Sequence, residues 1–192
     1  MILSDTTIAE YINSEKIKIF PYFNQADIRP TGIRIHLGSE LLIPCKNQVI
    51  DLSLPHDIKY EHQELTEEGY LLEKNNFILA STFETIQTSN NIVCHIEGRS
   101  TIARLGLSIH CTSGIMDNNH DEPRAIVLEL KNLGVFDLLL KPNIPIGMVL
   151  FSELSQPITQ KSQDQYRNQS SVRPPNMNFR IFKETQFRYS ND

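Results

Sequence analysis

The sequence predicts a mainly β fold, an all-β barrel or double sheet, with a short helix at its start and another near 99–105. From residue 33 onward, short apolar runs with strand patterning recur between turn signals. Segments with helical periodicity are few, and no internal repeat is visible. With 192 residues and 40% hydrophobic composition, the chain suits one domain, 1–192, with a sizeable core.

Residues 4–14 read as the first helix, with Ser4 or Asp5 as N-cap and Ile8, Tyr11 and Ile12 along one stripe. Pro21 and Pro30 mark an irregular connection after it. Strands are expected at 33–37, 70–73, 77–82 and 92–96, then at 107–112, 125–131, 136–140 and 148–154. Residues 155–176 are polar and rich in Gln, Ser, Asn and Pro. Composition alone therefore makes them flexible, within a C-terminal tail taken as 155–192.

The formal net charge of −5 gives no broad electrostatic surface for nucleic acid or an anionic membrane, although a local basic pocket for a nucleotide remains compatible with it. The opening residues have neither a basic n-region nor a long apolar run, and no stretch approaches the ~20 apolar residues of a membrane span. A cytoplasmic protein is expected. Cys45, Cys94 and Cys111 are far apart and form no Cys-x-x-Cys pair, which points to a reducing compartment and buried, inert thiols. His62-Gln63-Glu64 has the first half of a zinc-deaminase signature, but the Pro-Cys-x-x-Cys half is missing, so no zinc site is expected.

The chain is organised around residues 98–129. Between Gly98 and Gly106 lie two arginines, two hydroxyls and several apolar side chains. In a helix, Ser100 and Arg104 would share a face, while Ile102 and Leu105 could point into a core. The first amides of that helix, beside Arg99, Ser100 and Thr101, would suit an anion such as phosphate. An ordinary capped helix with solvated arginines fits the spacing as well. Farther on, Ile126, Leu128 and Leu130 alternate with Val127, Glu129 and Lys131, as in a strand with one buried face. Glu129 is then either a solvated charge or a pocket carboxylate able to carry a proton, and periodicity leaves both open.

The run from Glu97 through Arg99-Ser100-Thr101-Ile102-Ala103-Arg104-Leu105-Gly106 to Leu107 resembles the dCTP deaminase branch of the dUTPase-like family. Ile109 to Thr112, Gly114 to Asp117, Val127-Leu128-Glu129 and Gln165 to Gln169 extend the similarity over most of the chain. The resemblance implies a distorted jelly-roll homotrimer with active sites between subunits, and a tail that folds over the bound nucleotide. It implies hydrolytic deamination of dCTP, or a close pyrimidine nucleotide, to dUTP and ammonia. Glu129 matches the acid/base that activates water, and Ser100 and Arg104 match the pair that holds the water and orients the carboxylate. Arg99 and Thr101, with the helix-start amides through Ile102 and Ala103, match the phosphate contacts. Asp117 matches the residue near the sugar hydroxyl, the backbone of Val127 and Leu128 the reader of the base edge, and Gln169 the tail glutamine. No protein-bound metal is implied; Mg²⁺ would arrive on the triphosphate.

The sequence also departs from that pattern. Arg34 stands where an aspartate is usual, and the loop after Asp117 is about two residues longer, with His120 in the place of an aromatic. Gln165 replaces a phosphate-binding lysine and Ile158 a tyrosine. Arg124, Lys161 and Arg167 are candidate substitute cations, or simply solvated ones. Two other readings follow. One is a dUTP diphosphatase or a bifunctional deaminase–diphosphatase, although the glycine-rich C-terminal motif and the tyrosine after the aspartate are missing. The other is a non-catalytic nucleotide-binding trimer, against which stands the joint presence of Arg99, Ser100, Arg104 and Glu129.

Overall fold

The computed structural model describes residues 1–21, 23–116, 121–159, 166 and 168–177. In chain order the elements are α1 (Asp5–Asn13), β1 (Ile17–Phe20), a 3₁₀ turn (Gln25–Asp27), β2 (Ile28–Arg29), β3 (Gly32–Pro44), β4 (Tyr60–Glu64) and β5 (Tyr70–Leu72). There follow β6 (Phe77–Thr88), β7 (Ile92–Gly98), α2 (Ser100–Ala103), β8 (Leu107–Ser108), β9 (Ile115–Met116), β10 (Arg124–Asn132), β11 (Leu138–Leu140) and β12 (Pro145–Glu153). The fold is mainly β with two short helices, as expected. All recorded strand pairs are antiparallel.

A single long sheet runs β8-β10-β6-β3-β12-β7-β9, with β1 on β6 and with β2 and β4 on β3. It curls because β3 changes partners along its length. The first half of β3 pairs with β12, from Ile33 to His36, and the second half pairs with β6 and β4. The turn between halves falls at Gly38, where a Cβ would lie 3.0 Å from the Ser81 carbonyl oxygen. The register of β3 against β6 shifts there, between Leu37 and Leu41. A glycine that reads as a strand end is instead a bulge that lets the strand continue.

The curl encloses one large apolar cluster that includes Ile8, Ile33, Ile35, Leu41, Ile86, Leu128, Leu130 and Phe151. The stripe on α1 behaves as its spacing predicts: Ile8 is fully buried, and Tyr11 and Ile12 pack against the cluster. Tyr11 also donates its hydroxyl to Glu153 on β12. Phe151 is among the largest fully buried side chains. Phe151→Ala is expected to cost about 3–5 kcal/mol, read from the urea midpoint. A loss below about 1 kcal/mol would mean the site collapses around the deletion.

Three expectations need correction. The strand expected at 107–112 stops at Ser108. Beyond it the chain turns: the Ser108 hydroxyl donates to the His110 carbonyl oxygen at 2.6 Å, while the Ile109 carbonyl oxygen still accepts from the Glu129 N–H at 3.0 Å. Leu105 is 44% exposed rather than a core residue, because α2 is one turn long and the chain leaves it toward Gly106. Of the cysteines only Cys94 is buried, with burial pushing its thiol up to about 12. Cys45 and Cys111 are exposed. Among the described residues, no helix is long and apolar enough to cross a membrane.

Candidate active site

Strand β10 positions Glu129. Along it Ile126, Leu128, Leu130 and Asn132 are buried, while Val127, Glu129 and Lys131 are half-buried on the other face. That face floors a cleft of about 470 Å³ lined by Tyr60, Phe77, Leu79, Val127, Glu129 and Gln169, among others. The volume is that of a small-molecule site. Cys111 brings the loop after β8 across Glu129: its backbone N–H donates to Oε2 of the carboxylate at 2.7 Å. The Glu129 N–H in turn donates to the Ile109 carbonyl oxygen at 3.0 Å. A carboxylate held by one oxygen keeps the other for proton exchange.

The Cys111 thiol and the Tyr60 phenol of the cleft are neutral near pH 7. Burial raises the Cys111 thiol above its usual range, the Glu129 charge adds to the shift, and Lys131 opposes it. Burial also raises the Tyr60 phenol, with Tyr166 adding.

The open edge of β10 borders the cleft. The Ala125 and Glu129 N–H groups bond away from β6, to Gln169 and Ile109, whereas the Ile126 N–H bonds toward β6 at Thr82. By strand alternation from Glu129, within the unshifted register Val127–Lys131, the backbone of Val127 falls on the same edge as Glu129. Leu128 is fully buried and fills the core behind.

Gln169 sits at the cleft wall, 9% exposed, with its side-chain Nε2 donating to the Ala125 carbonyl oxygen at 2.8 Å. The segment 168–177 therefore packs on β10, where composition alone suggests a free tail. Asp117, His120, Lys161, Gln165 and Arg167 lie outside the described residues.

The residues of α2 lie elsewhere. Ser100, Thr101, Ala103 and Arg104 are exposed, Ile102 is half-buried against the core, and none of 99–104 lines the Glu129 cleft. Arg99 donates from Nη1 to the Pro145 carbonyl oxygen at 2.9 Å. Two glycines fix where this turn sits. Gly106 has φ +89°, and a Cβ on it would lie 2.3 Å from the Gly134 nitrogen, so only glycines allow the α2–β8 turn to meet the β10–β11 loop.

Arg34 pairs with Asp27 at 3.3 Å, away from the cleft. Beside it the Glu84 carboxylate holds the His36 ring at 2.6 Å and the His36 N–H at 2.9 Å. The basic residue at position 34 is thus matched locally and leaves Glu129 untouched. Arg124 differs from its expectation as a solvated cation: it is only 6% exposed and pairs at 3.3 Å with Glu122, which in turn accepts from the Asn168 N–H of the C-terminal segment. Sequence reasoning missed Tyr60, Phe77 and Leu79 as cleft walls and the Cys111 amide as the Glu129 clamp. The amide belongs to every residue type, so no side-chain signal could have marked it.

A curled antiparallel sheet thus carries a clamped carboxylate on the floor of a cleft of small-molecule size, walled by a C-terminal segment. The model for dCTP deaminase-like domains matches residues 2–154. The dCTP deaminase of Buchnera aphidicola subsp. Acyrthosiphon pisum is 34% identical over 199 residues, covering 96% of this chain and 100% of that protein. The dUMP-forming dCTP deaminase of Methanobrevibacter smithii is 32% identical over 161 residues, covering 81% of this chain and 82% of that one. The crystal structure of 2'-deoxycytidine 5'-triphosphate deaminase from Agrobacterium tumefaciens superposes with a TM-score of 0.60 at 15% identity, over 78% of this chain. The match spans about half of that structure, 47%, and shows a shared fold. The chain belongs to the dCTP deaminase-like family.

Proposed function

We propose that the protein deaminates dCTP, or a close cytosine nucleotide, with water, releasing ammonia and the uracil nucleotide. The observation that carries this reading is Glu129, clamped through Oε2 by the Cys111 amide on the floor of the cleft. In the reaction Glu129 takes a proton from water as the oxygen bonds to C4 of the base. It then returns the proton to the exocyclic nitrogen, the C4–N bond breaks with its electron pair on nitrogen, and ammonia leaves. The backbone of Val127 faces the base edge, and Leu128 backs it. Ser100 and Arg104 hold the water and orient the carboxylate. Arg99, Thr101 and the amides of Ile102 and Ala103 receive the phosphates, Asp117 the sugar hydroxyl, and Gln169 the nucleotide under the tail. No protein-bound metal takes part, and Mg²⁺ comes with the triphosphate as part of the substrate.

That residues 99–104 do not line the Glu129 cleft of their own chain supports a site completed between subunits of a homotrimer. Leu105 and Leu133, 44% and 67% exposed, lie together at the Gly106–Gly134 contact beside α2. They are apolar surface for a neighbouring subunit to cover.

A second reading is favoured by the M. smithii relative, which is dUMP-forming: the chain also removes pyrophosphate. Incubation of the pure protein with Mg²⁺ and a panel of cytidine and uridine nucleotides separates the possibilities, with ammonia and pyrophosphate measured independently. Ammonia alone supports the deaminase and both products together the bifunctional enzyme. Nucleotide binding without either product would leave a non-catalytic binder and overturn the proposal.

A further inference from the structure

The C-terminal segment closes one wall of the cleft with Tyr166, Gln169, Arg173 and Pro175. Backbone and side-chain contacts together hold it there. The Ala125 N–H donates to the Gln169 carbonyl oxygen at 2.9 Å, and Val172 packs with Leu42 and Leu79. Ser171 meets Glu40 through its hydroxyl, and Arg173 braces the segment internally by donating to the Asn168 carbonyl oxygen at 2.7 Å.

A further attachment, like that to Glu40, is to a carboxylate, and this carboxylate is shared with a buried cation of β10. The Asn168 N–H donates to Oε1 of Glu122 at 2.6 Å, a charge-assisted bond from the segment to the loop that precedes β10. The same Oε1 lies 3.3 Å from Nη2 of Arg124. The Arg124 side chain is 7% exposed, and a cation so covered requires its anion, which fixes the carboxylate in both place and charge. Arg124 itself lines the cleft five positions before Glu129 on the same strand. The two residues thus tie the wall of the cleft to the strand that forms its floor.

We propose that Glu122 and Arg124 are positioning residues that hold the C-terminal segment in register over the Glu129 cleft, an inference that rests on the deaminase reading above. Neither residue exchanges a proton with the substrate. Their effect is on how much of the protein has the wall in place, and therefore on apparent affinity rather than on the chemical step.

The test is Glu122→Gln, which keeps the shape and an acceptor oxygen but removes the charge. Amide hydrogen exchange of the peptide spanning 166–177 is measured without nucleotide. It is expected to quicken by about tenfold, the scale of one lost charge-assisted bond, while exchange across β6 and β12 stays as in the wild type. The KM for dCTP is expected to rise by about threefold to tenfold with kcat unchanged. Arg124→Gln should loosen the same peptide, and Arg124→Lys, which keeps the cation, should restore much of its protection. If Arg124→Gln fails to fold, the partly exposed Glu122 position still decides. Unchanged exchange in Glu122→Gln overturns the proposal, and so does faster exchange with KM unmoved. Absence of turnover by the wild type on every nucleotide would sink the deaminase reading alone, since exchange is read without substrate.

Discussion

Glu129→Gln is expected to lower deamination by at least ~10²-fold, since acid/base catalysis is typically worth that much, while fold and nucleotide affinity stay close to those of the wild type. Glutamine occupies the same volume, and its amide oxygen can still accept the Cys111 N–H that now holds Oε2 at 2.7 Å. The bond from the Glu129 N–H to the Ile109 carbonyl oxygen is backbone and survives any substitution. Half-buried on the cleft face of β10, the side chain contributes nothing to the apolar cluster behind Leu128 and Leu130. What glutamine lacks is a basic oxygen to take the water proton and return it to nitrogen. Single-turnover ammonia release, with dCTP affinity measured by calorimetry, separates the two effects. Near-normal turnover would remove Glu129 from the chemistry.

Which face of β10 carries Glu129 was legible because the strand alternates from Ile126 onward. Ile126, Leu128 and Leu130 face the core as their spacing requires, and that leaves Glu129 on the cleft face. Helix α1 was equally plain from Ile8, Tyr11 and Ile12. What sequence reasoning missed has identifiable causes. Strand β4, Tyr60–Glu64, is polar because among the described strands it pairs with β3 alone and has little to bury, so it carries no apolar alternation. Strand β3 runs through Gly38 because a glycine can mark either an end or a bulge, and only the approach of Ser81 distinguishes them. The tie of Glu122 to Asn168 and the seating of Gln169 depend on contacts between residues more than 40 positions apart, such as the Gln169–Ala125 pair. Local composition cannot report such contacts, and the tail therefore read as free.

The proposed sharing of the site between subunits predicts complementation. Arg104→Ala and Glu129→Gln are each expected to fall to roughly a hundredth of wild-type activity or less. In a trimer, each site would take α2 from one subunit and Glu129 from the next. When the two variants are co-refolded in equal amounts, a given interface has an intact α2 about half the time and an intact Glu129 about half the time, so about a quarter of the sites are whole. Activity near that fraction is expected, against almost none for either variant refolded alone or for the two mixed without exchange. The single-chain geometry motivates this: Arg104 and Ser100 are exposed and absent from the lining of their own cleft, and the Gly106–Gly134 contact fixes α2 where it stands. If one chain supplied every group, each mixed subunit would still carry its own lesion and no activity would return. A flat result from assemblies that sediment as mixed trimers would therefore place the whole site within one subunit. A monomer with full specific activity on dilution would do the same.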